Sequence, residues 1–218
     1  MAELMCPLAG TARTRNLAIR VETLMALSRV FSAGGEKLEQ TLAGLIEAYG
    51  KWLKEKAGDQ KEDWELLDQL LKVQVEDDKK RWIYEFNRLF VGPQSPPAPP
   101  YESVYRHGEG QVMQESTLDV RRWYRSQGLS LAGQSNEPDD FIATELEFAA
   151  YLLTQALKRE QRNQPKKAEA YIENYNAFCQ EHLAAWLPGF VKALSASARE
   201  PFYLALGEIM QRVVVPVR

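Results

Sequence analysis

Residues 15–31 read RNLAIRVETLMALSRVF, with apolar side chains recurring at steps of three and four residues. This spacing places the apolar side chains along one face of a helix, so the segment is predicted to be an amphipathic helix that ends at Gly34-Gly35. Toward the C-terminus, the same spacing returns in residues 38–53, 64–75 and 82–90. The N-terminal half, about residues 11–92, is therefore predicted to contain four helices.

The next stretch, residues 92–100, reads GPQSPPAPP and holds five of the eleven prolines of the chain. Proline lacks a backbone N–H and fixes φ, so this density of prolines excludes a helix and disfavours a central β-strand. Gly108 and Gly110 extend the irregular region as a turn. We expect a stiff, Pro-rich connector over about residues 92–110, between two helical halves.

Helical spacing resumes beyond the connector, in a C-terminal half of about residues 114–213. The pattern predicts a short helix ending at Gly128, a long helix over 137–158 with Pro138 in its first turn, a helix over 168–187 stopped by Pro188-Gly189, and a last helix over 200–213. No strand alternation of useful length occurs elsewhere. The sequence thus predicts an all-α fold in which residues 1–218 form a compact, single-domain helical bundle.

Composition argues against several classes of function. The chain has 218 residues and a formal net charge of −3, so no strong positive field is present to attract nucleic acid. Neither a secretory apolar run near the N-terminus nor a stretch of 18 apolar residues is found, so we expect no export by that route and no stable membrane insertion. Cys6 and Cys179 are far apart and do not match a usual zinc site, which fits a reducing compartment and a cytoplasmic location.

Common enzyme signatures are missing from the sequence. It contains no GxGxxG, GxxxxGK[ST], GxSxG or HExxH motif, so we expect a protein without catalytic activity and without a cofactor. Cys179 and His182 lie three residues apart on a predicted helix and could form a nucleophile pair. A buried thiol beside a polar residue near the helix end is the favoured interpretation.

Five carboxylates crowded into eleven residues are the strongest candidate for a site, namely Glu137, Asp139, Asp140, Glu145 and Glu147. Acidic side chains in a first helical turn interact favourably with the helix dipole, which explains one or two of them. A carboxylate-bundle metalloenzyme using Glu145 and Glu147 is one alternative, although the Glu-x-x-His pattern of di-iron bundles is absent. The neighbouring Phe141 and Phe148 favour a surface that receives a basic, partly apolar peptide.

Several motifs occur in a fixed order between Glu85 and Pro188. They are EFNRLFVGP at 85–93, APPYESVY at 98–105, ESTL at 115–118, Val120-Arg121 with Tyr124, EPDD at 137–140, IATELEF at 142–148, and His182-Leu183 with Trp186-Leu187-Pro188. In this order and spacing the sequence resembles the family of redox-enzyme maturation chaperones that includes the dimethyl sulfoxide reductase and trimethylamine oxide reductase chaperones. The first eighty residues match only in being helical.

The resemblance implies an all-helical cytoplasmic chaperone that is not an enzyme. Such proteins bind the twin-arginine signal peptide of a molybdenum-enzyme catalytic subunit and hold the subunit until its cofactor is loaded and export begins. The expected partners are therefore that subunit and its leader peptide. A monomer is expected, and a dimer is left open. A nitrate-reductase-type assembly chaperone, which serves a subunit that stays on the cytoplasmic side, is a second alternative.

The expected peptide-binding groove joins the Pro-rich connector to the start of the 137–158 helix. Its residues are Leu89, Phe90, Pro99, Pro100, Tyr101, Glu137, Pro138, Asp140 and Phe141. Glu137 and Asp140 are expected to pair with arginines, Pro138 to fix the helix entry, and the apolar side chains to form walls, although Leu89 and Phe90 can equally be core. The sequence departs from the family pattern at Phe141, where histidine is usual, and at Tyr101, where tryptophan is common.

Overall fold

The computed structural model describes residues 11–56, 60–74, 80–92, 95–106, 114–130 and 137–217. These residues form ten α-helices and no β-sheet, which confirms the predicted all-α class. The helices are α1 (Ala12–Ala33), α2 (Leu38–Glu55), α3 (Lys61–Gln74), α4 (Lys80–Phe86), α5 (Glu102–Arg106), α6 (Glu115–Ser126), α7 (Ile142–Gln161), α8 (Pro165–Glu181), α9 (Leu183–Ser197) and α10 (Pro201–Val213). None of these described helices combines the length and the apolar character that crossing a bilayer requires.

Helix α1 joins the two predicted halves by packing against helices of both. Thr11 caps its N-terminus by accepting a hydrogen bond from the Thr14 N–H at 3.3 Å, and Gly34 follows its last residue with a positive φ of 74°. Its buried face, which includes Leu17 and Leu24, packs against both α2 and α7. Buried apolar side chains from both halves consequently belong to one hydrophobic cluster. One domain over residues 1–218 stays a prediction, and this shared cluster is consistent with it.

The predicted helices of the N-terminal half correspond to α1, α2, α3 and α4, and the π-helical segment Asn87–Val91 extends α4 toward Gly92. The connector is irregular over residues 95–100, as predicted, but α5 begins directly after Tyr101. The segment after Pro100 holds no proline that would block helical hydrogen bonds, so a short helix interrupts the predicted connector. Gly108 and Gly110 lie outside the described residues.

The start of the long C-terminal helix differs from the prediction. Asp139 and Asp140 form a turn, Phe141 is extended, and α7 begins only at Ile142. Pro138 therefore does not occupy the first turn of a helix, and its predicted role in fixing the helix entry is wrong. The reason is tertiary, because Phe141 is held extended in a bridge with Tyr101, in which the flanking Asp140 and Ile142 bond to the connector.

The predicted helix over 168–187 is also wrong at its C-terminal end. His182 leaves helical geometry, with φ −115° and ψ −90°, and separates α8 from α9. Helix α9 then runs through Pro188. Because proline has no N–H, Pro188 removes the helical hydrogen bond to the Ala184 carbonyl, and α9 continues past this missing bond.

Candidate peptide-binding groove

A cavity of about 650 Å³ opens beside the connector, and we call it the first cavity. Six of the nine predicted site residues line it, namely Phe90, Pro99, Pro100, Tyr101, Glu137 and Phe141. Phe31 and Gly34 at the end of α1 line the cavity as well. The structure therefore brings together the connector, the 137–141 segment and the end of α1.

Backbone pairing between Tyr101 and Phe141 forms one wall of the first cavity. The two residues make an isolated antiparallel β-bridge, in which the Ile142 N–H donates to the Pro100 carbonyl at 2.9 Å. The Glu102 N–H donates to the Asp140 carbonyl at 3.1 Å. The ring centroids of Tyr101 and Phe141 lie 5.5 Å apart, within the range of favourable aromatic contact. The wall thus presents two adjoining rings that the main chain holds in place.

The connector is fixed to the helix that precedes it. The Ala98 N–H donates to the Leu89 carbonyl at 3.1 Å, and the Ala98 side chain is fully buried. Gly92 turns the chain at the end of the π-helical segment with a positive φ of 61°, and its N–H donates to the Asn87 carbonyl at 2.6 Å. Prolines in this short stretch restrict the backbone further, so the cavity wall is preformed.

The structure separates the roles of Leu89 and Phe90. Leu89 is fully buried and does not line the cavity, so it is a core residue. Phe90 is 4% exposed and packs edge-on against Phe31 and Phe86, with centroid distances of 5.3 and 4.9 Å, while it also lines the cavity. Pro138 is partly exposed and does not line the cavity. Of these three predicted site residues, only Phe90 contributes to the groove surface.

Glu137 is the carboxylate of the first cavity. Its side chain is exposed, and the Tyr101 hydroxyl donates to Glu137 Oε2 at 2.6 Å. Burial raises the pKa of Tyr101, and the neighbouring Glu137 carboxylate raises this pKa further. Because a carboxylate offers about four lone-pair sites, Glu137 can accept from a ligand guanidinium while it keeps the tyrosine bond.

Asp140 occupies a different position from the one predicted. Its side chain is fully buried, and it accepts hydrogen bonds from the Ser103 N–H at 2.8 Å and from the Thr117 hydroxyl at 2.9 Å. Both carboxylate oxygens are therefore already bonded within the protein, and Asp140 does not line the first cavity. The expectation that Asp140 pairs with a ligand arginine needs correction, because its geometry assigns it to holding α5 and α6 behind the groove wall.

A second cavity of about 590 Å³ lies next to the first. The two cavities share Phe31, Ser32, Glu137 and Phe141 as lining residues. The rest of the second cavity is lined by Tyr124, Leu129, Ser130, Ala143, Thr144, Glu147, Phe148 and Tyr151. This cavity could not be predicted from the sequence, because Phe31 and Tyr151 fit ordinary helix periodicity and nothing in that pattern marks a residue as cavity-lining.

A buried polar cluster supports the groove from below. Glu102 Oε2 lies 2.9 Å from Nδ1 of His182, and Glu102 Oε1 lies 3.5 Å from the Arg106 guanidinium. Trp186 Nε1 donates to Glu145 Oε2 at 3.1 Å. Burial raises the pKa of Glu145 well above its usual range, and the neighbouring Glu102 carboxylate raises this pKa further. Burial thus favours the protonated form of Glu145 over the carboxylate.

The metalloenzyme alternative does not match the geometry of α7. Glu145 is fully buried whereas Glu147 is exposed, so the two carboxylates face in different directions. Among the described residues, no three His, Cys, Asp or Glu side chains lie close enough together to hold a metal ion. Cys179 is buried, and burial raises the pKa of its thiol to about 12, while His182 is engaged with Glu102. A reactive thiolate is therefore not formed by this Cys–His pair.

Known sequences resemble this chain over more than half of its length. The family model of the nitrate reductase delta subunit matches residues 54–192. The chain is 34% identical over 124 residues to the Tat proofreading chaperone DmsD of Salmonella typhi, and 33% identical over 119 residues to the chaperone protein TorD of Vibrio vulnificus. These matches cover 57% and 55% of this chain and 54% of each relative, so the chain spans about half the length of the curated relatives it matches.

The fold resembles a solved structure as well. A crystal structure of an Archaeoglobus fulgidus protein named as a redox enzyme maturation protein matches with a TM-score of 0.51 and 17% identity, over 96% of this chain and 97% of that one. At this identity the match bears on the fold alone. The relatives are named as chaperones, which are not enzymes, and the predicted resemblance to redox-enzyme maturation chaperones is confirmed. Since the family model covers more than half of its residues, the chain belongs to the nitrate reductase delta subunit family.

Proposed function

We propose that this protein is a cytoplasmic chaperone that binds the twin-arginine leader of a molybdenum-enzyme catalytic subunit and retains the subunit until its cofactor is loaded. The observation that carries the proposal is the first cavity, where the rings of Tyr101 and Phe141 adjoin the exposed Glu137 carboxylate. The names of the DmsD and TorD relatives support the same role.

The cavity fits a peptide with an arginine next to apolar residues. A guanidinium is planar, so it can bond to Glu137 through two N–H groups and stack on the Tyr101 or Phe141 ring at the same time. Apolar neighbours in the peptide would cover Phe90 and the connector prolines and remove their surface from water. The preformed wall lowers the entropy that binding must overcome.

Calorimetric titration tests the proposal directly. The full chain is titrated with a synthetic twin-arginine leader and with the same leader in which both arginines are lysines. Because lysine neither bonds bidentately nor stacks as a plane, we expect the Lys-Lys peptide to bind at least about tenfold more weakly. Negligible heats across a panel of twin-arginine leaders, or equal affinities for both peptides, would contradict the proposal.

A nitrate-reductase-type assembly chaperone is the second candidate, and the description of the matching family model favours it. Its client stays on the cytoplasmic side and presents an N-terminal segment without paired arginines. A competition experiment between such a segment and the twin-arginine leader separates the two candidates. Preferential binding of the segment without paired arginines would favour the second candidate over the first.

A further inference from the structure

The second cavity continues the groove beyond Phe141. Because Glu137 and Phe141 line both cavities, a peptide that contacts them in the first cavity is already adjacent to the second. In an extended peptide, successive side chains point to opposite sides of the backbone. Two neighbouring side chains can therefore enter two cavities that share one wall.

One face of α7 forms the floor of the second cavity. Ala143, Glu147 and Tyr151 are spaced four residues apart, which places them on one face of the helix, and all three line the cavity. This face is about 12 Å long at 1.5 Å per residue. An extended peptide covers that length with about four residues. The ring of Tyr151 stacks on that of Phe148, with centroids 6.3 Å apart, and together they give the floor an apolar end.

Glu147 gives the second cavity its own negative charge. The side chain is exposed, and among the described residues no hydrogen bond or ion pair engages its carboxylate. Asp139, by contrast, is paired with Arg121 at 2.6 Å, and Asp140 is bonded on both oxygens. Of the clustered carboxylates in the 137–147 region, Glu137 and Glu147 are the two that line cavities, and each lines the second one. This arrangement is complementary to a ligand with two basic side chains.

We propose that the two arginines of the leader are divided between the cavities, with one bonded to Glu137 in the first cavity and the other bonded to Glu147 in the second. The inference rests on the proposed leader-binding function and extends it by assigning a recognition residue on α7. The shared Phe141 ring lies against the peptide between the two guanidinium groups. The groove would then recognise an adjacent pair of arginines, because each cavity supplies one carboxylate.

A double-mutant cycle with citrulline tests this assignment. Citrulline has nearly the shape of arginine but no charge, so it removes one ion pair at a time. Leaders with citrulline at the first or the second arginine are titrated into the wild-type chain and into the Glu137→Gln and Glu147→Gln variants. Glu173→Gln is the matched control, because Glu173 is exposed on α8 and lines neither cavity.

We expect each cavity variant to weaken binding of the unmodified leader by about 3- to 30-fold, because the bound peptide covers the carboxylate and strengthens its hydrogen bonds, and the control to change it less than twofold. Each variant should lose its effect when one particular arginine is citrulline, and the two variants should identify different arginines. If Glu147→Gln behaves like the control while Glu137→Gln weakens binding, the assignment of Glu147 is wrong and the leader-binding function stands. Coupling of both variants to the same arginine would also overturn the assignment. If the unmodified leader does not bind the wild-type chain at all, both proposals fail.

Discussion

Glu102 and His182 are 80 residues apart in the chain, yet Oε2 of Glu102 lies 2.9 Å from Nδ1 of His182 in the protein interior. This contact joins α5 to the junction of α8 and α9. Arg106, also on α5, donates to the Glu181 carbonyl at 2.5 Å and reinforces the same attachment. Tyr101 immediately precedes α5, so the groove wall rests on this buried polar cluster.

We predict that the Glu145→Gln variant gains stability relative to the wild type as pH rises above about 4.5, the usual pKa of a glutamate. Burial and the Glu102 carboxylate raise the pKa of folded Glu145, so the folded state holds a proton that the unfolded state releases. Wild-type stability therefore decreases from that pH upward until the folded group ionises, by at most about 1.4 kcal/mol per pH unit. Glutamine keeps an oxygen that can accept the hydrogen bond from Trp186 Nε1, and its amide does not ionise.

Urea unfolding at a series of pH values measures this effect. The free energy of unfolding of the variant, minus that of the wild type, should grow as pH increases through this window. Glu173→Gln, which changes an exposed carboxylate, serves as the control and should give a flat difference. A difference for Glu145→Gln that is also flat would mean that Glu145 is not held in its protonated form.

Asp140→Ala should destabilise the fold by about 2–5 kcal/mol, because it leaves two buried donors, the Ser103 N–H and the Thr117 hydroxyl, without acceptors. Asp140→Asn should recover part of that loss, since the amide oxygen can accept from Ser103 while the hydroxyl turns to accept from the amide. Asp119→Ala breaks an exposed pair with Arg122 and should cost less than about 1 kcal/mol. Thermal and urea unfolding of the three variants check this order, and an Asp140→Ala protein as stable as the Asp119→Ala protein would contradict it.

Glu137→Gln should leave stability nearly unchanged and weaken leader binding. The wild-type affinity is expected to fall as salt increases, because screening acts on an ion pair that water still reaches. The affinity of the variant should depend less steeply on salt, since it forms one ion pair fewer. Calorimetry at about 50, 150 and 500 mM salt measures both slopes. Equal slopes for the two proteins would show that Glu137 forms no ion pair with an arginine of the leader.

Phe141→His should retain leader binding near pH 8 and weaken it at about pH 5.5, on either side of the usual histidine pKa of about 6.5. The neutral imidazole can still lie against Tyr101, because the main chain and not the ring makes the β-bridge. Once protonated, it competes with the ligand guanidinium for Glu137. Leader affinity is measured at both pH values with wild type as the control. Abolished binding at both pH values would show that the phenyl ring itself is required.

The helices of the N-terminal half could be predicted from the sequence because apolar residues recur at helical spacing in each of them. α1 and α2 agree with the prediction to within a few residues, since Gly34 and the apolar spacing mark their ends locally. The break at His182 could not be predicted in this way. Its partner, Glu102, lies 80 residues away, and local helix signals carry no information about such a contact.

The candidate site could also be predicted only in part from the sequence. Tyr101, Glu137 and Phe141 were predicted from the motifs, and the structure places them on one cavity. Asp140 belongs to the same motif, but its burial depends on Ser103 and Thr117, which come from other helices. A sequence pattern identifies which residues occur together, whereas the direction of each carboxylate is decided by the helices that pack around it.

The main-chain bridge between residues 101 and 141 has an evolutionary consequence. Since backbone atoms hold the two segments together, the side chains at these positions can be exchanged without dismantling the scaffold that displays them. Natural divergence can therefore adjust the preference for a client by single substitutions on an unchanged frame. The same property makes positions 101 and 141 suitable for a randomised library from which variants with new peptide preferences are selected.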